Sequence, residues 1–137
     1  MSAEENKAIV RRYLDEAWNK GNVNILDELM TPDYARYMGT AGAHLDREGQ
    51  KQRIAGFHKA LGDLQLALDD MVAEGDRVTI RIRVTGTHRD ALMGVPTTGK
   101  QITVAAIDIL RLVDGKVVEH WGVMDTYGLL QQLGAVS

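Results

Sequence analysis

Val78-Thr79-Ile80-Arg81-Ile82-Arg83-Val84-Thr85 alternates apolar and polar side chains without a break. That period of two marks a β-strand with one buried face. Upstream, Leu64, Leu66 and Leu68 alternate in the same way, and Glu74-Gly75-Asp76 supplies the turn between the two strands. Downstream, Thr87 to Lys100 holds Gly94, Pro96 and Gly99. It reads as a structured connection into another strand. Ile102 to Leu112 is apolar on both parities, which predicts a central strand covered on both faces. Asp114-Gly115 is a strong hairpin signal, with Lys116 to Met124 returning as the partner.

The N-terminal half has a helical period instead. Ser2 and Glu5 form a capping box. Ile9, Tyr13, Leu14, Ala17 and Trp18 follow at helical spacing until Gly21. A short second helix is predicted from Asn22 to Met30, ended by Pro32. Residues Pro32 to Ala43 look irregular, with Tyr34, Tyr37 and Met38 interleaved. Asp46 would cap a third helix with Ile54, Phe57 and Leu61 inside. Asp125 would cap a last short helix carrying Leu129, Leu130 and Leu133, closed by Gly134. Helices followed by a meander give the α+β class. The expected architecture is a curved antiparallel sheet packed by three N-terminal helices that enclose a pocket. Residues 1–137 are read as a single domain.

Composition narrows the function. Hydrophobic residues make up 45% of the chain, as a packed globule needs. A net charge of -3 argues against nucleic acid, because no basic stripe is present to meet phosphates. Without cysteine there is no disulfide, thiolate nucleophile or Cys-ligated zinc. The acidic start Met1-Ser2-Ala3-Glu4-Glu5 has no apolar core and is no signal peptide. No run approaches the ~18 apolar residues of a membrane span. A cytoplasmic protein with no membrane partner is expected. His44, His58, His88 and His120 lack metal-ligand spacing, and no nucleophile elbow, Walker or dinucleotide motif occurs.

Gly86-Thr87-His88, Val95-Pro96-Thr97-Thr98-Gly99-Lys100, Val113 to Trp121 and Gly128 to Gly134 together resemble the SnoaL-like polyketide cyclases. That family lies in the nuclear transport factor 2-like superfamily. The resemblance implies a cone-shaped α+β fold and a small-molecule pocket. It also implies intramolecular aldol ring closure without metal or organic cofactor. The family's catalytic carboxylate directly follows the positions matching His120 and Trp121, where this chain has Gly122. A histidine of the preceding strand matches Asp108. One strand has therefore lost its acid, and its neighbour has gained one.

The hairpin register decides whether that exchange makes sense. A two-residue turn at Asp114-Gly115 would put Asp108 opposite Trp121. A three-residue loop with a glycine bulge would put it opposite Gly122, in the space of the absent carboxylate and diagonal to His120. The resemblance favours the second. Asp108 then reads as a general acid/base whose pKa rises by burial unless His120 is charged beside it. It reads equally as a strand-edge or interface carboxylate paired to an arginine.

His120 is either its assistant or a satisfied core histidine. Asp125 is read as a cap, and His88 as shaping its loop or lining the cavity mouth. Trp18, Tyr34, Tyr37, Met38, Phe57, Leu61, His88, Trp121, Gly122 and Met124 are the candidate pocket lining, though packing explains most of these types as well. Arg81 and Arg83 project from the other sheet face, where the superfamily often dimerises, and would need acidic partners from a second subunit. Three functions compete: an enzyme using Asp108 and His120 on a small apolar or polyketide-like molecule, a binding module with a degenerate site, and an interaction protein.

Overall fold

The structure, a computed structural model, describes residues 1–40 and 42–137. Helix α1 spans Ala3–Tyr13, with Ser2 and Glu5 closing the capping box, and continues as a π-helical turn over Leu14–Asn19. A 3-10 turn at Val23–Ile25 leads into α2, Leu26–Leu29. Strand β1 is Met30–Met38, β2 is His44–Leu45 and α3 is Arg47–Ala60. Four long strands follow: β3 Leu61–Glu74, β4 Arg77–His88, β5 Gln101–Val113 and β6 Lys116–Met124. Helix α4, Thr126–Gln132, is capped by Asp125, whose Oδ1 accepts from the Gly128 amide at 2.9 Å.

The strands form one curved, unclosed sheet in the order β2-β1-β6-β5-β4-β3. The sheet is mixed rather than antiparallel throughout, because β1 runs parallel to β6. The stretch read as irregular contains this strand. Pro32 hid it: proline donates no backbone hydrogen bond, and the β1–β6 ladder breaks between Met30 and Ala35. Ala41, in the same stretch, lies outside the described residues. The second helix ends at Leu29, three residues before Pro32, and Leu61 opens β3 instead of closing α3.

Helices α1 and α3 pack on the concave face, and the core lies between. Strand β5 is covered on one face only. Its buried residues alternate with exposed ones, and Ile107 is 52% exposed. Its apolar outward positions misled a reading that equated apolar with covered. Arg81 and Arg83 find their acids within the chain, on neighbouring β3. Arg81 Nη2 lies 2.6 Å from Asp70, and Arg83 Nε lies 2.8 Å from Asp69. A second subunit is not needed to neutralise them.

The β5–β6 hairpin sets the site. Asp114 and Gly115 both have positive φ, +49° and +79°, as a two-residue type I′ turn requires. Val113 pairs with Lys116 and Leu112 with Val117. Val118 then bulges out, so that Arg111 faces Glu119 and Asp108 faces Gly122. The register that places Asp108 opposite Gly122 thus arises from a tight turn plus a bulge further along, not from a three-residue loop.

Candidate active site

Asp108 of β5 and His120 of β6 both point inward, at 8% and 0% exposure. His120 Nε2 lies 2.7 Å from Asp108 Oδ2, and His120 Nδ1 lies 2.9 Å from the Tyr34 hydroxyl. One neutral tautomer satisfies both contacts: Nε2–H donates to the carboxylate, and Nδ1 accepts from Tyr34. Burial is the main force on the imidazole and pushes its pKa below the ordinary value, against the pull of Asp108. Burial likewise drives the Tyr34 hydroxyl pKa far upward, so that it remains a donor. Tyr13 packs edge-on to the imidazole. Its hydroxyl oxygen accepts from Trp18 Nε1 and Gln50 Nε2, each at 2.9 Å.

Two arginines complete the constellation. Arg36 of β1 is 4% exposed and sits opposite His120 in the parallel ladder. Its Nη1 lies 3.5 Å from Asp108 Oδ2, while its buried Nε has no partner. Arg53 of α3 lies over Phe57, 5.0 Å from the ring centroid, and 5.8 Å from that of Trp18. Burial alone would raise the Asp108 pKa, as the sequence reading expected. The hydrogen bond from His120 and the charges of Arg36 and Arg53 outweigh it, and the pKa falls below the ordinary carboxylate value. Asp108 is therefore ionised beside a neutral imidazole.

Gly122 leaves the room for this arrangement. A Cβ built there would lie 2.7 Å from Arg36 Nη2 and 2.9 Å from Asp108 Cγ, closer than real Cβ atoms come. Beside it opens a cavity of about 450 Å³, with Arg36, Met38, Arg53, Phe57, Gly122 and Met124 in its wall. A second hollow of about 30 Å³ shares Arg36, Arg53, Phe57 and Met124 and is walled by Asp108 and Trp18. An apolar chamber with a few converging charged groups is the usual form of a small-molecule site.

Residues 8–133 match the family described as SnoaL-like polyketide cyclase. The chain belongs to this family. It is 29% identical over 121 residues to the nogalonic acid methyl ester cyclase of Streptomyces nogalater, a match covering 86% of this chain and 90% of that protein. Among solved structures it resembles AclR, a putative hydroxylase from Streptomyces galilaeus. That match has a TM-score of 0.89 and 36% identity, over 99% of this chain and 89% of that one. It also resembles IdmH, a putative polyketide cyclase from Streptomyces antibioticus, at a TM-score of 0.83 and 32% identity, over 94% of this chain and 98% of that one.

Within the family frame, the position that the resemblance assigns to the carboxylate is Gly122, and the Asp108 side chain fills the space in front of it. Met38, Phe57, Gly122 and Met124 line the larger cavity, and Trp18 the smaller one. Tyr34 stands behind His120 rather than in the wall. Four further candidates also line neither hollow. Tyr37 and Trp121 stack on each other with centroids 5.8 Å apart, on the residues that alternate outward. Leu61 is plain core. His88 is fully buried, with Nδ1 held by the Thr98 amide at 3.2 Å and the Thr98 hydroxyl at 2.9 Å.

The sequence reading missed Arg36 and Arg53. Arg36 had a usable signal, since Tyr34, Arg36 and Met38 share one parity of β1. Arg53 had another, four residues before Phe57 and so on the same helix face.

Proposed function

We propose that this family member carries out acid–base chemistry on a small, largely apolar, polyketide-like molecule, with Asp108 as the proton acceptor and no cofactor. The observation that carries the reading is an ionised carboxylate, buried beside a cavity and held between an imidazole and a guanidinium. Asp108 would remove a proton from a carbon flanked by carbonyls. The electron pair moves onto the carbonyl oxygen as an enolate, which Arg36 stabilises as charge develops. In a ring closure the enolate carbon then attacks a second carbonyl, and the new alkoxide takes the proton back from Asp108. His120 orients the carboxylate through Nε2–H, and Tyr34 fixes the imidazole tautomer. Isomerisation would use the same first step with the proton returned elsewhere. The curated relatives named as methyl ester cyclases support the ring-closing form.

One observation favours a second reading. Arg36 already pairs with Asp108, as it would in a binding module with a permanently neutralised carboxylate. Solvent exchange separates the two. A panel of polyketide 1,3-dicarbonyl compounds, as methyl esters and as free acids, is incubated with the protein in D2O, and loss of the acidic C–H signal is followed by NMR. Enzyme-dependent exchange that slows by about 10²–10⁴ in Asp108→Asn supports the base. Exchange at an unchanged rate in that variant removes Asp108 from the role. No exchange with any compound supports the binding module.

A further inference from the structure

The cavity wall carries more positive than negative charge. Arg36 and Arg53 face it, Asp108 is the carboxylate beside them, and His120 is neutral. Arg36 shares Asp108. Arg53 forms no ion pair among the described residues and lies against the faces of Phe57 and Trp18. A half-buried guanidinium without a counter-ion is costly. Burial and the charge of Arg36 both push its pKa down, which marks it as a cation in want of an anion.

Resting on the acid–base reading above, we infer that Arg53 recognises a carboxylate carried by the substrate, set apart from the carbon that reacts. The placement follows from chemistry. A carboxylate on the reacting carbon would make its C–H less acidic and would repel the Asp108 base. Asp108 lies beyond ion-pair distance of Arg53, so an acid group at Arg53 can be neutralised without competing for the base. A guanidinium presents a planar fork that fits a carboxylate with two hydrogen bonds. Phe57 and Trp18 behind it hold that plane and leave the apolar remainder of the ligand to Met38 and Met124. By this inference the chain takes a free acid, where relatives are named for methyl esters.

Binding alone tests the inference, independently of turnover. The probes are 2-naphthoate and methyl 2-naphthoate, titrated against the whole protein by calorimetry or ligand-observed NMR. The wild type should bind the acid about tenfold more tightly than the ester, the size expected of one charge-assisted pair. Arg53→Gln should erase that preference by weakening the acid alone, and Arg53→Lys should keep part of it. Equal affinity for acid and ester, including no measurable binding of either at millimolar concentration, overturns the inference. So does a preference that survives Arg53→Gln. Asp108→Asn, which removes a nearby negative charge that repels a bound carboxylate, should tighten the acid. If Asp108→Asn leaves proton exchange unchanged while the acid preference stands, the catalytic reading fails and the recognition does not.

Discussion

At Gly122 the absence of a side chain has a chemical consequence. Asp108 and Arg36 fill the volume that a side chain at this position would need. Gly122→Asp alone therefore does not restore the family's usual carboxylate; it collides with the one already present. The variant should lose about 2 kcal/mol or more of stability in urea unfolding, from overpacking and an extra buried charge. It should also lose activity. Moving the acid back needs both changes. Asp108→Gly with Gly122→Asp should be more stable than Gly122→Asp alone, a non-additivity that marks two residues sharing one space. If the double variant is the sum of the singles, they do not share it.

His120 gives a pH test of the same cluster. Its pKa lies below the ordinary value near 6.5, so the unfolded chain takes up that proton first. The contribution of the neutral imidazole to stability is full above about pH 6.5 and is lost as pH falls toward the folded pKa. Asp108 shifts downward too, so its contribution is full above about pH 4 and is lost only below that. Between pH 7.5 and 5.5 the slope therefore reports on His120. The wild type should lose stability over this range, by at most about 1.4 kcal/mol per pH unit for one proton. His120→Gln should show a flatter profile. An equal slope in both proteins would assign the effect to another group.

Among the elements, the β5–β6 hairpin decides which side chains meet. Without the bulge at Val118, a tight Asp114-Gly115 turn would put His120 on the outer face. With it, Leu112 and Val117 stay inside, Arg111 meets Glu119 at 2.6 Å outside, and His120 returns inside beside Leu110. Deleting Val118 keeps the pairs Leu112–Val117 and Arg111–Glu119 and removes only the bulge. That variant should fold, with a modest loss in Tm and some loss of twist. Inserting an alanine after Glu119 reverses the phase of everything beyond it and should unfold the protein at ambient temperature. Two equally stable variants would contradict the phase argument.

Legibility followed the same division. Strands β3 to β6 and the capped helices were readable because period two, an Asp-Gly turn and side-chain caps are local signals. The Asp108–Gly122 register was not, since the tight turn alone points to Trp121 and only the family resemblance favoured Gly122. Strand β1 was not, because its parallel partner is more than eighty residues away in sequence and Pro32 interrupts the local pattern. With β1 unread, Arg36 was invisible. The expected rise of the Asp108 pKa by burial was conditional on His120. The hydrogen bond from His120 leads the lowering, and the cations that add to it, Arg36 and Arg53, come from β1 and α3 and went unread. A site assembled across a parallel ladder leaves little trace in any one segment.

For the molecule as a whole, the remaining proposal concerns the outer face of the sheet. The chain exposes 7140 Å², close to the surface expected of a compact monomer of its 15.1 kDa mass. On that face Ile107 and Val123 are directly paired across β5 and β6, at 52% and 71% exposure. Neighbouring Arg81 and Arg83 are satisfied within the chain by Asp70 and Asp69. A patch with an apolar centre and internally neutralised charges at its edge suits a second copy of itself, because self-association brings no unpaired charge into the contact. A stable interface takes about 800 Å² from each partner, roughly a tenth of this surface. Sedimentation at micromolar concentration should show a homodimer. Ile107→Glu, which sets like charges near the two-fold axis, should return it to the monomer without changing the far-ultraviolet circular dichroism. A monomeric wild type, or a dimer indifferent to Ile107→Glu, would leave the face as bare solvent-exposed sheet. The cavity meets this face at Val123 in its rim, but its wall is built from one chain, and it should keep its ligand affinity in the monomeric Ile107→Glu variant.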